Sequence, residues 1–321
     1  MDSTLRPMST GQVLDRTFHL YRNNFLLFAG IAALPPAVFL LGQAGFFLLA
    51  LIPAPRLGFL ESGVAFAIGI AGLVVLYLLA LSFATGATVY AVSRVHLGHP
   101  VKISESYKVI RPLLWRITRI WISVAIRFAG AFLVAVAVLI APTTIMRIVG
   151  GSSAAIPTIV YWVGGVLVVV AFVVCAIWSL RLYCSYQLAV PACVLEGLGA
   201  VACLKRSRFL SKGKTVQRIL LVLFLSLILT YALSLAFSIP LYVALAAGAT
   251  EKMPGLAIPI AIWQYVSGFV AGTLAGPIAT IALALLYYDE RVRKEAFDLQ
   301  LMMDAVGQQQ QMNVAAPPTI G

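Results

Sequence analysis

The chain has 321 residues, 61% of them hydrophobic and only 11% charged, with a mean hydropathy of +0.98. Soluble domains carry about 25% charged residues, so this composition excludes a water-soluble globular protein, a disordered chain and a disulfide-stapled secreted scaffold. The formal net charge of +12 would point to nucleic acid in a soluble protein; in so apolar a chain that role is excluded, and the cations must be read against a bilayer.

A spanning helix needs roughly 20 predominantly apolar residues. Taken in chain order, the stretches that qualify are Phe25–Leu51, Val64–Val92, Leu113–Ala141, Ile156–Leu180 with a possible continuation to Val190, Ile219–Leu245 and Leu256–Tyr288. They predict an all-α integral membrane protein with six transmembrane helices. The first apolar run is too long for the h-region of a signal peptide, so a retained span is expected.

Ahead of that first span, Ser9-Thr10-Gly11-Gln12 fits a capping box. Leu14, Phe18, Tyr21 and Phe25 then share one helical face, with Asp15, Arg16, His19 and Arg22 on the other. The pattern predicts an amphipathic helix lying in the interface plane, apolar face down. The connector after the second span predicts a similar helix with Ser104 as its cap, followed by Glu105, Tyr107, Lys108 and Ile110, with Pro112 opening the next span. The connector after the fourth span predicts a third. Leu14 to Asn24 aligns with Leu204 to Lys214 as Leu-x-Arg-[Thr/Ser]-x-x-Leu-x-[Arg/Lys], at an offset of 190 residues. Repeated units of this kind build many membrane folds. The division expected is one polytopic domain over residues 1–300, in three units of interfacial helix plus hairpin (9–95, 102–190 and 196–290), with a disordered tail at 301–321.

Charge orients the spans. Twenty of the 23 Lys and Arg fall in the N-terminal segment, the second and fourth connectors with their adjoining span ends, and the C-terminal segment; only Arg56, Arg147 and Lys252 fall on the other face. By the positive-inside rule both termini are cytoplasmic.

Motifs that carry chemistry are sparse. Gly213-Lys214-Thr215 has the end of a phosphate-binding loop, but Arg208 stands where the first glycine belongs and no strand precedes it. His96 and His99 are separated by a turn-like Leu97-Gly98, and no metal site is expected. Cys175, Cys184, Cys193 and Cys203 have no CxxC spacing and read as inert thiols. Glu196 reads as a structural acid at the opening of the third basic helix. Gly268, Gly272 and Gly276 form a small-residue row suited to close helix packing, and Pro35-Pro36, Pro240, Pro259 and Pro277 interrupt spans. Arg127 is the one charge placed beyond an interface. It either snorkels back toward headgroups or points into the bundle, where Gln187, Tyr183, Tyr186 or a lipid phosphate are its partners by depth.

The segments Gly11 to Phe25, Pro191 to Glu196 followed by Leu204 to Ser207, and Tyr287 to Asp298 resemble the signatures of the bacterial six-helix membrane domain of glycerophosphoryl diester phosphodiesterase. Glu290 and Ala296 depart from that pattern, standing in place of Leu and Gly. The resemblance covers roughly residues 9 to 300 and implies a bacterial cytoplasmic membrane protein. Some relatives fuse this domain to a catalytic barrel. Such a barrel needs about 250 residues, and nothing after Tyr288 supplies one, so no diesterase activity is expected and no cofactor is implied.

The expected function is therefore non-enzymatic: binding anionic lipid headgroups or organising membrane partners. The candidate headgroup contacts are Arg16, Arg22, Arg127, Lys205, Arg206, Arg208, Lys212 and Lys214. The alternative is a transporter or flippase for lipid or small solutes. Five of the six spans lack an ionisable residue in their central stretch, which weighs against ion-coupled transport of polar solutes.

Overall fold

A computed structural model describes residues 8–51, 59–150, 158–246, 248 and 254–295. The described residues are helical or in short connections: α1 (Thr10–Asn23), α2 (Phe25–Ala32), α3 (Leu34–Leu51), α4 (Phe59–His96), α5 (Ile103–Ile110), α6 (Leu114–Gly150), α7 (Thr158–Tyr186), α8 (Ala189–Glu196), α9 (Ala200–Leu210), α10 (Thr215–Ala246) and α11 (Ala257–Glu295). The expected tail at 301–321 lies outside the described residues.

Five single helices are long and apolar enough to cross a membrane: Phe66–His96, Ile103–Val134, Gly165–Glu196, Thr215–Ala244 and Ile258–Glu295. The expected first span is two helices, α2 and α3, bent by 40°, and makes a sixth crossing only if the pair counts as one. Pro35 and Pro36 cause the break. A proline has no amide hydrogen, so the carbonyls of Ile31 and Ala32 lose their usual helical donors. The Tyr107 hydroxyl of α5 donates to the Ile31 carbonyl at 2.8 Å. Water cannot satisfy such a group inside a bilayer; here a neighbouring helix does. Aromatic donors also reach carbonyls near two other prolines, in each case one residue past the acceptor that the proline deprives, Thr273 and Ala236. The Tyr21 hydroxyl reaches the Leu274 carbonyl, one turn before Pro277, at 2.8 Å. Trp263 Nε1 reaches the Phe237 carbonyl, close to Pro240, at 2.9 Å.

The capping box forms as expected, with the Ser9 hydroxyl accepting from the Gln12 amide at 3.3 Å and the Gln12 side chain accepting from the Ser9 amide at 2.7 Å. The buried face of α1 is not the one its apolar residues mark. Val13, Thr17 and Leu20 are buried, whereas Phe18 is 45% and Phe25 40% exposed. Thr17 tolerates burial because its hydroxyl donates to the Val13 carbonyl at 2.7 Å, so no polar atom is left unpaired. In α9 the buried set includes Cys203, Ser207 and Leu210, at the same offset of 190 from those three positions. The two segments thus share a burial register as well as a sequence pattern. In α5 the cap is Lys102 rather than Ser104, with no side-chain hydrogen bond; Ser104 lies inside the helix.

One core joins these short helices to the span ends. Val13, Phe28, Ile31, Ile110, Ile117, Leu188, Ile219, Leu285 and Tyr287 are all buried in it. This end is called the base below. Away from it the helices are widely exposed, as chains solvated by lipid are. The most apolar stretch of α11 is 56% buried and that of α7 only 6%, so α11 is the central post of the bundle. It packs against α1, α2, α3, α4 and α10, while α6 and α7 form a hairpin at the side.

Candidate functional site

Two knots of charge, one buried and one half-buried, hold the base together, and both are centred on the end of α11. In the first, Arg218 of α10 places Nη1 at 2.6 Å from Asp289 and 2.7 Å from Glu290. Its other nitrogens reach the Met8 carbonyl at 2.9 Å and the Thr10 hydroxyl at 3.2 Å. The Met8 amide donates to Asp289 at 2.6 Å, and the Thr215 hydroxyl to Glu290 at 2.8 Å. Arg293 and Lys294, one turn beyond the two acids, complete the pairing at 2.9 Å and 3.3 Å. The Asp289 side chain has no exposed surface and that of Glu290 only 3%. Such burial is tolerable only when every carboxylate oxygen is paired.

In the second knot, Arg206 of α9 donates from Nε to both oxygens of Glu196, at 3.2 Å and 3.1 Å, and from Nη2 to Glu295 at 2.6 Å. Arg291 lies 3.5 Å from Glu196, and the Tyr287 hydroxyl donates to the same carboxylate. Burial works to lower the Arg206 pKa, but its hydrogen bonds to Glu295 and Glu196 hold it above the usual arginine range. Glu196 is structural, as expected, but its place differs. It ends α8 beside the left-handed Gly197 instead of opening α9. An acid there opposes the helix dipole, and the guanidinium of Arg206 offsets that.

The expected headgroup contacts divide accordingly. Arg206 is committed to protein carboxylates. Among the described residues, no carboxylate pairs with Arg16, Arg22, Arg127, Lys205, Arg208, Lys212 or Lys214, and all seven are exposed. Lys212 sits over the Phe209 ring at 5.8 Å. Arg127 and Arg208 are far apart in sequence, yet they meet at one side chain. Their guanidinium carbons lie 5.3 Å and 5.4 Å from the centroid of the Tyr186 ring, an arrangement that favours a cation through the ring quadrupole. Arg127 also donates to the Ser123 carbonyl, one turn nearer the base, at 3.2 Å. Arg127 is thus exposed, with its side chain turned toward Ser123, and it meets the face of Tyr186 instead of its hydroxyl. Tyr183 packs against Phe128, with ring centroids 5.7 Å apart.

The other motifs resolve into structure. Gly213, at φ 75°, turns the chain between α9 and α10, and Thr215 belongs to the first knot. His96 ends α4, and the turn at Gly98 closes that helix through His99 N–H to the Arg94 carbonyl at 2.9 Å. No group of three or more metal-ligating side chains occurs among the described residues. Cys184, Cys193 and Cys203 are buried free thiols, and Cys175 is half-buried. Cys193 and Cys203 both point at the Leu198 carbonyl, at 3.9 Å and 3.5 Å. The hydrogen bond that the Cys203 thiol donates to Cys193, together with burial, pushes that thiol above the ordinary range, which keeps it protonated and unreactive. In the glycine row, a Cβ on Gly272 would lie 3.1 Å from Pro36, and one on Gly276 would lie 3.9 Å from Ala32, whereas Gly268 faces open space. The row therefore receives the broken α2–α3 pair of the same bundle.

These features define an all-helical, multi-span membrane protein with a compact polar base. No known protein family, curated protein or solved structure matches the chain.

Proposed function

We propose that this chain is a non-enzymatic, six-span membrane protein whose base, on the cytoplasmic side, holds anionic lipid headgroups. The observation that carries this is the sorting of charge. The buried acids Asp289 and Glu290 and the half-buried Glu196 and Glu295 are matched by Arg206, Arg218, Arg291, Arg293 and Lys294. The cations left over are exposed around the same layer. Each Lys or Arg near an anionic leaflet contributes about 1 kcal/mol, so Lys205, Arg208, Lys212 and Lys214 together attract anionic lipid by a few kcal/mol. The resemblance to the membrane domain of glycerophosphoryl diester phosphodiesterase is in keeping with a lipid-facing role and ascribes no diesterase activity to the chain.

Lipid analysis of the protein purified in mild detergent tests this. Phosphatidylglycerol or cardiolipin should be enriched over the host membrane and should be shed as salt is raised. Co-purified lipid with the composition of the host membrane would refute the reading.

A further inference from the structure

We propose that Arg127, Arg208 and Tyr186 form a phosphate clamp at the head of a groove that takes one acyl chain of an anionic glycerophospholipid. This rests on the headgroup-binding role above and gives it a defined site.

The three side chains line one crevice of about 370 Å³ on the flank of the α6–α7 hairpin. Two cations converge there on one ring, and none of the residues lining the crevice is acidic. Like charges brought together without a counterion repel one another, and an anion seated between them removes that penalty. A phosphate diester matches two guanidiniums, which are shaped to donate in pairs to its oxygens.

The rest of the crevice says what the phosphate is attached to. On α6 its lining follows Arg127 through Gly130, Ala131 and Val134, at the spacing of one helical face. On the antiparallel α7 it runs back from Tyr186 through Leu182 to Trp178. The crevice is therefore polar at one end and apolar along its length, with the polar end toward the base. A free phosphate or sugar phosphate would use only the clamp. A phospholipid uses both, with its head against α9 and its tail along the hairpin away from the base. Gly130 opens the groove, since a Cβ there would meet nothing within 4 Å. Without a lining carboxylate, nothing pairs with the ammonium group of a choline or ethanolamine head, so the site selects lipids of net negative charge.

The test is titration of the delipidated full-length protein in detergent with dioleoyl phosphatidylglycerol, read by native mass spectrometry. Arg127→Gln combined with Arg208→Gln should weaken the tightest bound lipid at least tenfold. Lys102→Gln combined with Lys108→Gln removes the same charge from exposed cations outside the crevice and should change it less than twofold. Gly130→Leu keeps both guanidiniums but blocks the groove, and it too should weaken binding several-fold. Inorganic phosphate at millimolar concentration should not displace the lipid; displacement would mean a free-anion site and overturn the groove. Equal losses in the two double variants would overturn the clamp while leaving diffuse anionic attraction intact. Equal binding of phosphatidylcholine by the wild type would overturn the clamp and the headgroup-binding role together. Should the arginine double variant fail to fold, Gly130→Leu decides alone, and unchanged affinity there refutes the site.

Discussion

The Tyr107 hydroxyl lies 2.8 Å from the Ile31 carbonyl, the acceptor that Pro35 deprives of its helical amide. A side chain from the second basic connector thus completes the backbone of the first span. Tyr107→Phe should cost about 1 kcal/mol, the usual worth of a hydrogen bond within a membrane bundle. Pro35→Ala restores the missing amide, so the same Tyr107→Phe change in that background should cost markedly less. Thermal melts of the four proteins in one detergent check this, and equal costs in both backgrounds would separate Tyr107 from the proline break.

The glycine row predicts an asymmetry. Gly272 meets Pro36 of α3, whereas Gly268 faces open space. Gly272→Leu should therefore destabilise the fold by 1–3 kcal/mol through overpacking, roughly the cost of forcing extra methylenes into a filled contact. Gly268→Leu should be nearly neutral by the same melts.

The charge knots predict a contrast between two cations of the base. Arg218→Met removes the shared partner of Asp289 and Glu290 and should cost about 3 kcal/mol or more, as removal of one member of a buried pair does. Lys205→Met touches no carboxylate and should change stability by less than about 0.5 kcal/mol. Chemical denaturation of both variants, compared with the wild type, reads the difference directly.

Much of the fold was legible in the sequence because lipid solvation writes itself into composition. The long apolar runs map onto α4, α6, α7, α10 and α11, and the Ser9–Gln12 cap forms where its residue types require. Other features were not legible, each for a physical reason. The buried face of α1 hides behind Thr17, a polar residue whose hydroxyl is satisfied within its own helix, so hydropathy alone marks the wrong side. Arg206 reads as one more exposed cation of a basic helix, because its partners Glu196 and Glu295 lie 10 and 89 residues away. Arg218, Asp289 and Glu290 went unnoticed for the same cause; a buried ion pair between distant segments leaves no periodic trace. The departure at Glu290 was the available clue, since a carboxylate at the end of an apolar span requires a partner.

The thiols predict a labelling pattern. Cys184, Cys193 and Cys203 are buried and Cys175 only half-buried. A small maleimide should modify at most one thiol in the folded protein in detergent and all four after denaturation, as mass spectrometry would show. Rapid modification of Cys193 or Cys203 in the folded state would contradict the closed turn at Leu198.

The proposed orientation predicts accessibility across a membrane. Single cysteines placed near Arg56, Arg147 and Lys252 should each react with an impermeant reagent added outside intact cells. Cysteines replacing Lys205 or Lys214 should react only after the cells are opened. Protection of any of the first three would refute six spans with both termini inside.

The position of α11 at the centre of both knots has a consequence for biosynthesis. Asp289, Glu290 and Glu295 leave the ribosome after every span has been made, whereas Arg206 and Arg218 emerge some 70 to 90 residues earlier. In the proposed orientation, Arg218 still lacks both its carboxylates during insertion and Arg206 has only Glu196, so both count toward retention on the cytoplasmic side. Only when the last helix arrives do its carboxylates claim them. The same side chains thus act first as topological signals and afterwards as fasteners, and a chain truncated before residue 289 would insert with the correct orientation yet remain unlatched.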